Sequence, residues 1–158
     1  MKVPNHSNIV EMLGRNHLIA QLIVEGVHVA LPLWDQGVDL VAYYRGQDGF
    51  VARPLQLKVA EATRWGLDVK YADIVGLLLV YIWNVRSAPE DVEIYAMSYR
   101  EAEHILNAGG DKDYSQSNTW KNEGRYSIAH LDKPKNKLRK NLQPFRMQHG
   151  LWKDRLGS

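Results

Sequence analysis

Cysteine is absent from the 158 residues of the sequence, which excludes disulfide bonds and thiolate metal sites. A cysteine-free chain suits a reducing compartment, so we expect a cytoplasmic protein. No uninterrupted apolar run approaches the roughly 20 residues that cross a bilayer, so no membrane partner is expected. The sequence also has no glycine-rich phosphate loop and no G-x-S-x-G motif, so P-loop nucleotide hydrolysis and serine hydrolysis find no support.

Net charge is low, at +2, but the charged residues are unevenly distributed. Residues 1–120 contain ten Lys or Arg and fifteen Asp or Glu, whereas residues 121–158 contain ten and three. The resulting balances of −5 and +7 favour a polyanion partner for the basic end, although a solvated lysine-rich surface explains the pattern equally well. The length predicts a single domain over residues 1–158, with a basic C-terminal extension from about residue 121.

Hydrophobic periodicity and turn residues predict an α/β protein with a mixed central β-sheet flanked by helices. A first helix is expected over residues 8–25, with Asn8 as its N-cap and Glu11 as the acid of the capping pattern. A second helix is expected over about residues 98–106, opened by a capping box at Ser98. Strands are expected over residues 27–33, 38–44, 51–60, 74–83, 92–97 and 125–131, and a short terminal helix over residues 144–156.

The strands on either side of residues 45–49 form a predicted β-hairpin whose register follows from its turn. The turn chemistry of this segment gives paired residues numbers that sum to 95. In that register Asp39 lies opposite Gln56, and Lys58 shares the face of Gln56 because side chains alternate along a strand. A slip of one residue would separate the three side chains.

A carboxylate, an amide and an ammonium group at one patch suit phosphodiester hydrolysis. Asp39 would supply an anionic ligand to a hard cation such as Mg²⁺ or Mn²⁺, and Gln56 would supply a neutral carbonyl oxygen. Lys58 would orient the attacking water or neutralise charge that develops on the phosphate. Taken singly, an Asp near a strand start is more often a turn or capping residue, and a Lys on a strand is more often a surface residue.

Segments 37–42 (GVDLVA) and 55–59 (LQLKV) resemble the PD-(D/E)XK motif of restriction-endonuclease-like nucleases. In that superfamily a helix precedes a hairpin that carries an Asp and then an acid-x-Lys. The Q-x-K version is similar to that of some group I intron homing endonucleases and many uncharacterised bacterial relatives. The resemblance covers about residues 8–106. It implies a restriction-endonuclease-like core and a Mg²⁺-dependent endonuclease acting on DNA, with Asp39, Gln56 and Lys58 as catalytic residues.

The sequence departs from that motif at three places. Val38 stands before the Asp where proline is frequent, and Gln56 replaces an acid, which removes one negative charge from the metal site. The position of the helix acid falls near Arg15 or Asn16. Glu11 lies one turn earlier on the same helix face and is the candidate third metal ligand, but a capping acid is an equally good interpretation.

Basic residues beyond the motif are candidate contacts with the nucleic-acid backbone. Trp65 has the ring to stack on a base, although a buried tryptophan is the commoner outcome. The candidate nucleic-acid-binding residues are Arg64, Lys70, Lys133, Lys135, Lys137, Arg139 and Lys140.

Three hypotheses remain open at this point. The first is a metal-dependent endonuclease acting on DNA, or alternatively on RNA, and a homodimer would suit it because cutting two strands needs two sites. The second is a catalytically weakened or inactive nuclease fold that serves as a nucleic-acid-binding module, which the Gln56 substitution favours. The third is an unrelated α/β protein, in which Asp39, Gln56 and Lys58 do not converge.

Overall fold

Seven β-strands and five α-helices lie in the part of the chain that the computed structural model describes, residues 6–34, 36–108, 117–132 and 137–158. The helices are α1 (His6–Val24), α2 (Tyr99–Asn107), α3 (Asn118–Glu123), α4 (Lys137–Leu142) and α5 (Trp152–Gly157). The strands are β1 (His28–Ala30), β2 (Leu40–Gly46), β3 (Gly49–Val59), β4 (Arg64–Asp68), β5 (Leu78–Trp83), β6 (Glu93–Ser98) and β7 (Arg125–Ala129). Short 3₁₀ helices lie at Val69–Tyr71, Pro89–Asp91 and Gln143–Phe145.

The central sheet has five strands in the order β1-β2-β3-β5-β6. β3 and β5 run parallel and the other neighbours run antiparallel, so the sheet is mixed and the predicted α/β class is confirmed. All six residues of β5 are buried, as expected for an inner strand that is covered on both faces.

Two apolar layers cover the opposite faces of the central sheet, and the side chains of β5 alternate between them. Val80 and Ile82 belong to the layer that contains the buried residues of α1 and Trp152 of α5. Leu79 and Tyr81 belong to the layer that contains the buried residues of α2 and α4. Helices therefore flank the sheet on both sides, as predicted.

A second, two-stranded antiparallel sheet is formed by β4 and β7. The strand predicted over residues 125–131 is confirmed as β7, but β4 is missing from the predicted strands. Its signal is present in the sequence, because the apolar residues Trp65 and Leu67 alternate with non-apolar ones, and the structure buries these two side chains. This alternation is typical of a half-buried strand.

Several predicted boundaries are wrong. α1 begins at His6, so Asn8 lies inside the helix and is not its N-cap. The strand predicted over residues 27–33 is limited to the three residues of β1, and the terminal helix begins only at Trp152. The capping box of α2 is confirmed, since the Ser98 side chain accepts from the Glu101 N–H and the Glu101 carboxylate accepts from the Ser98 N–H. Among the described helices none has both the length and the apolar character that a bilayer crossing requires.

Candidate active site

The register of the β2–β3 hairpin places Asp39 beside Gln56. Leu40 pairs with Leu55, and the Asp39 N–H donates to the Leu55 carbonyl at 2.8 Å. The Gln56 amide nitrogen donates to Asp39 Oδ2 at 2.5 Å, and the Leu57 N–H donates to the same oxygen at 2.6 Å. The pairs from Leu40 with Leu55 to Gly46 with Gly49 all have numbers that sum to 95, so the predicted register is confirmed over β2, and the side-chain hydrogen bond brings Asp39 and Gln56 together just before its first residue.

The Asp39 carboxylate also has a structural role at this end of the sheet. β2 begins at Leu40, so its backbone does not extend alongside the last residues of β3. The carboxylate accepts the Leu57 N–H that a longer β2 would otherwise satisfy with a carbonyl. The Gln56 side chain is buried, and its amide holds the carboxylate in one orientation. Asp39 therefore both satisfies a backbone N–H of β3 beside the start of β2 and belongs to the candidate site.

Lys58 projects from the same face of β3 two residues further on. Its Nζ donates to the Tyr71 hydroxyl at 3.2 Å and lies 4.5 Å from the centre of the Tyr71 ring. Tyr71 is buried in the 3₁₀ helix after β4, so the anchor of the ammonium group is rigid. The Lys58 side chain itself is only half-buried and can meet a ligand.

A cleft of about 360 Å³ joins these three side chains to helix α1. Glu11 and Arg15, one helical turn apart, line the cleft together with Asp39, Gln56 and Lys58. We call this cleft the hairpin cleft. The structure therefore brings the three predicted catalytic residues together with Glu11, the predicted third metal ligand.

Gly14 explains how α1 comes close enough to line the cleft. A Cβ at Gly14 would lie 2.4 Å from Cγ1 of Val59, the last residue of β3. Only a residue without a side chain allows this approach of helix to strand. Glu11 and Arg15, on either side of Gly14 in the helix, are carried toward β3 by the same contact.

The candidate ligand atoms of the hairpin cleft are oxygens, which hard cations prefer, although few of these oxygens carry a negative charge. The carboxylates of Asp39 and Glu11 line it. The Leu57 carbonyl faces the Gln56 amide, from which it accepts at 3.3 Å. A half-turn of that amide would present the Gln56 carbonyl oxygen instead of its nitrogen. Among the described residues no three His, Cys, Asp or Glu side chains form a group that could hold a metal, so a cation here would depend on amide, carbonyl and water ligands.

The residues near the motif that are predicted to contact nucleic acid differ in their exposure to solvent. Arg64 is exposed at the start of β4. Lys70 is exposed as well, 3.9 Å from the Asp68 carboxylate and 4.9 Å from the centre of the Tyr71 ring. Trp65 is fully buried and packs against Tyr81, so it cannot stack on a base.

Some of the basic C-terminal residues form ion pairs within the fold. Arg139 donates to Glu93 and to Asp132, each at 2.6 Å. Burial disfavours the charged guanidinium, but the hydrogen bond and the charge of Glu93 raise the pKa of Arg139 above its ordinary value. Arg155 forms an ion pair with Glu101 in the same way. Arg139, predicted as a phosphate contact, is therefore engaged in holding α4 to β6.

The remaining predicted basic contacts are Lys133, Lys135, Lys137 and Lys140. Lys140 is exposed on α4, and Lys137 is the first residue of that helix. Lys133 and Lys135 lie outside the described residues.

Lys58 also lines a second cleft, which the sequence does not predict. It has a volume of about 370 Å³ and lies between the end of β3, the β4–β7 sheet and α3. We call it the β4–β7 cleft. Its charged lining residues are Lys58, Arg64, Asp68, Glu123 and Arg125. The alternating pattern of β4 is a sequence signal that points to it.

The fold and the site thus define an α/β protein whose mixed sheet carries a polar cleft at the end of a hairpin. No family model matches this chain, and no curated protein and no solved structure matches it either.

Proposed function

We propose that the protein is a metal-dependent endonuclease that hydrolyses DNA phosphodiester bonds on a restriction-endonuclease-like core. The convergence of Asp39, Gln56 and Lys58 in one open cleft carries the proposal. The order of elements supports it, because α1 precedes a hairpin that carries the Asp on one strand and Gln-x-Lys on the other. Under the same proposal the protein acts in the cytoplasm and pairs as a homodimer to cut both strands.

Each residue of the hairpin cleft has a role in the proposed reaction. Asp39, Gln56 and Glu11 would hold Mg²⁺ or Mn²⁺, which supplies Lewis-acid activation of a water and of the phosphate when bound. The Gln56 amide and the Leu57 N–H hold the Asp39 carboxylate in one orientation. Lys58, anchored by Tyr71, is placed to neutralise charge that develops on the phosphate.

A second function is favoured by the hydrogen bonds of Asp39. Its Oδ2 already accepts from two donors, and the cleft contains an amide where another carboxylate would strengthen cation binding. A nucleic-acid-binding module without catalysis needs only the cations of the cleft, Arg15 and Lys58. In that case the Asp39–Gln56 pair is structural.

Cleavage of supercoiled plasmid separates the two functions. The wild-type protein should nick or linearise plasmid with Mg²⁺ or Mn²⁺ and not with EDTA. Lys58→Ala should lower the rate by about 100-fold or more, as expected for the loss of a charge-stabilising group. Lys153→Ala is the matched control, because Lys153 also lies over a tyrosine ring, that of Tyr44, but away from both clefts.

The same experiment also has an outcome that refutes the endonuclease. If no metal supports cleavage, while the wild-type protein still binds plasmid or oligonucleotide, the endonuclease is refuted and the binding module is retained. Circular dichroism of each variant confirms that the fold is intact.

A further inference from the structure

Gly66 and Ser127 form what we call the floor of the β4–β7 cleft, and neither residue has a large side chain. Gly66 of β4 pairs with Ser127 of β7, and both belong to the face of this sheet that is turned away from the core. The Tyr81 hydroxyl donates to the Gly66 carbonyl at 2.6 Å and so ties the floor to the central sheet. A Cβ at Gly66 would lie 3.0 Å from the Tyr126 carbonyl oxygen, so the floor is kept flat by the absence of a side chain.

Charged groups of both signs stand around this flat floor. Arg64 lies at one end of the pair of strands, and Asp68 and Arg125 lie at the other, with 3.8 Å between their charged groups. Glu123 of α3 also lines the cleft. A site for phosphate alone would favour cations, whereas a planar base edge needs both donors and acceptors. The mixture therefore favours a nucleobase.

Lys58 connects the two clefts. It lines the hairpin cleft with Asp39 and Gln56, and it lines the β4–β7 cleft with Arg64 and Gly66. A phosphate at Lys58 would thus have the candidate catalytic groups on one side and the flat floor on the other. This is the arrangement that a nucleotide needs when its phosphate and its base occupy neighbouring sites.

We propose that the β4–β7 cleft binds one unstacked nucleobase of single-stranded nucleic acid, whose adjacent phosphate lies at Lys58. The proposal rests on the proposed function for the identity of the polymer. A cleft of about 370 Å³ is near the small end of ligand sites and takes one nucleoside rather than a base pair. A base that is paired and stacked in a duplex must first be extruded, at a cost of a few kcal/mol, so unpaired substrates are preferred.

Oligonucleotide binding in EDTA tests the proposal without any cleavage. Fluorescence anisotropy would compare a short labelled single-stranded DNA with the same strand in a perfect duplex, and with the matching RNA strand. The wild-type protein should bind the single strands at least about tenfold more tightly than the duplex. The RNA comparison measures which polymer is preferred.

Ser127→Leu places a bulky side chain that cannot stack on a base over the floor of the cleft, and Ser87→Leu places the same side chain in an exposed turn outside both clefts. Ser127→Leu should weaken single-strand binding by about tenfold, to the level of the duplex, and Ser87→Leu should leave it unchanged. Arg125→Gln, at a residue with an exposed side chain, gives a second and milder disruption should the Ser127→Leu protein fold poorly. It should weaken single-strand binding several-fold.

Failure of this inference and failure of the proposed function give different results. Equal binding of single strand and duplex, or single-strand binding that neither Ser127→Leu nor Arg125→Gln weakens, overturns the base site even if plasmid is cleaved. Conversely, single-strand binding that depends on Ser127 and Arg125 upholds the base site even if no metal supports cleavage.

Discussion

At the scale of single residues, Gln56 is the side chain on which the proposed metal site depends most. Its amide donates to Asp39, and a glutamate in its place would give up that hydrogen bond and set two carboxylates against each other. We predict that Gln56→Glu lowers the metal-free stability by about 1–3 kcal/mol, the cost of a disrupted buried polar contact. With Mg²⁺ the same variant should gain more in melting temperature than the wild type, because only the folded state holds the ion.

Differential scanning fluorimetry with EDTA and with Mg²⁺ measures both effects. Gln47→Glu is the control, since it adds the same charge in the exposed hairpin turn. A Gln56→Glu protein that responds to Mg²⁺ no more than Gln47→Glu does would show that the hairpin cleft is not a cation site.

Gly14 is the residue that sets the distance between α1 and β3. Gly14→Ala gains about 1 kcal/mol of helix propensity, but it places a Cβ 2.4 Å from Val59 Cγ1. Overpacking of this kind costs about 1–3 kcal/mol, so we predict a net loss of stability and reduced activity, because Glu11 and Arg15 move with the helix.

A double-mutant cycle in urea tests this explanation. Val59→Ala removes both Cγ atoms in the way, so Gly14→Ala should be tolerated much better in the Val59→Ala background. Additive losses in the two backgrounds would mean that the contact with Val59 is not what requires glycine.

At the scale of secondary-structure elements, a polar network joins β6 to the C-terminal helices. The Tyr95 hydroxyl donates to Glu93 at 2.6 Å, and Arg139 of α4 donates to the other Glu93 oxygen. Burial of Tyr95, followed by its hydrogen bond to Glu93, raises the pKa of Tyr95 from 10.0 to about 12. The folded state therefore keeps this proton over a pH range in which the unfolded chain has lost it.

The sign of the pH effect follows from linkage. Tyr95 contributes its full stabilisation below pH 10, and the contribution is lost as the pH rises toward about 12. Two pKa units correspond to roughly 2–3 kcal/mol. Urea unfolding from pH 9 to pH 12 should show a smaller alkaline loss for Tyr95→Phe than for the wild type. Equal losses in the two proteins would contradict the prediction, since other buried tyrosines such as Tyr81 are present in both.

The elements also show which interactions can be predicted from sequence. The β2–β3 hairpin was predictable down to its register, because a two-residue turn fixes every pair that follows it. The capping box of α2 is similarly local. β4 pairs with β7, which lies far along the chain, and a five-residue strand with a central glycine gives a weak signal alone. The β4–β7 cleft depends on that pairing and was therefore not predicted.

At the scale of the whole molecule, the contrast between an acidic body and a basic end is weaker than the sequence indicates. Salt bridges within the fold neutralise some of the basic side chains: Arg139 pairs with Glu93 and Asp132, and Arg155 with Glu101. Charge counts along a sequence cannot reveal such pairs, because the partners come from distant elements. The sequence therefore overstates how many cations can meet a nucleic acid.

The salt dependence of single-strand binding measures how many cations take part. If all ten Lys and Arg of residues 121–158 met phosphates, the slope of log affinity against log salt would be about −7, at about −0.7 for each contact. We predict that these residues give a slope of about −5.6 or shallower, because Arg139 and Arg155 are paired internally and leave at most eight cations. Lys140→Ala, at an exposed position, should make the slope shallower by about 0.7. Arg139→Ala should leave the slope unchanged and lower the melting temperature instead. If Arg139→Ala changes the slope as much as Lys140→Ala does, Arg139 contacts the ligand and the prediction is wrong.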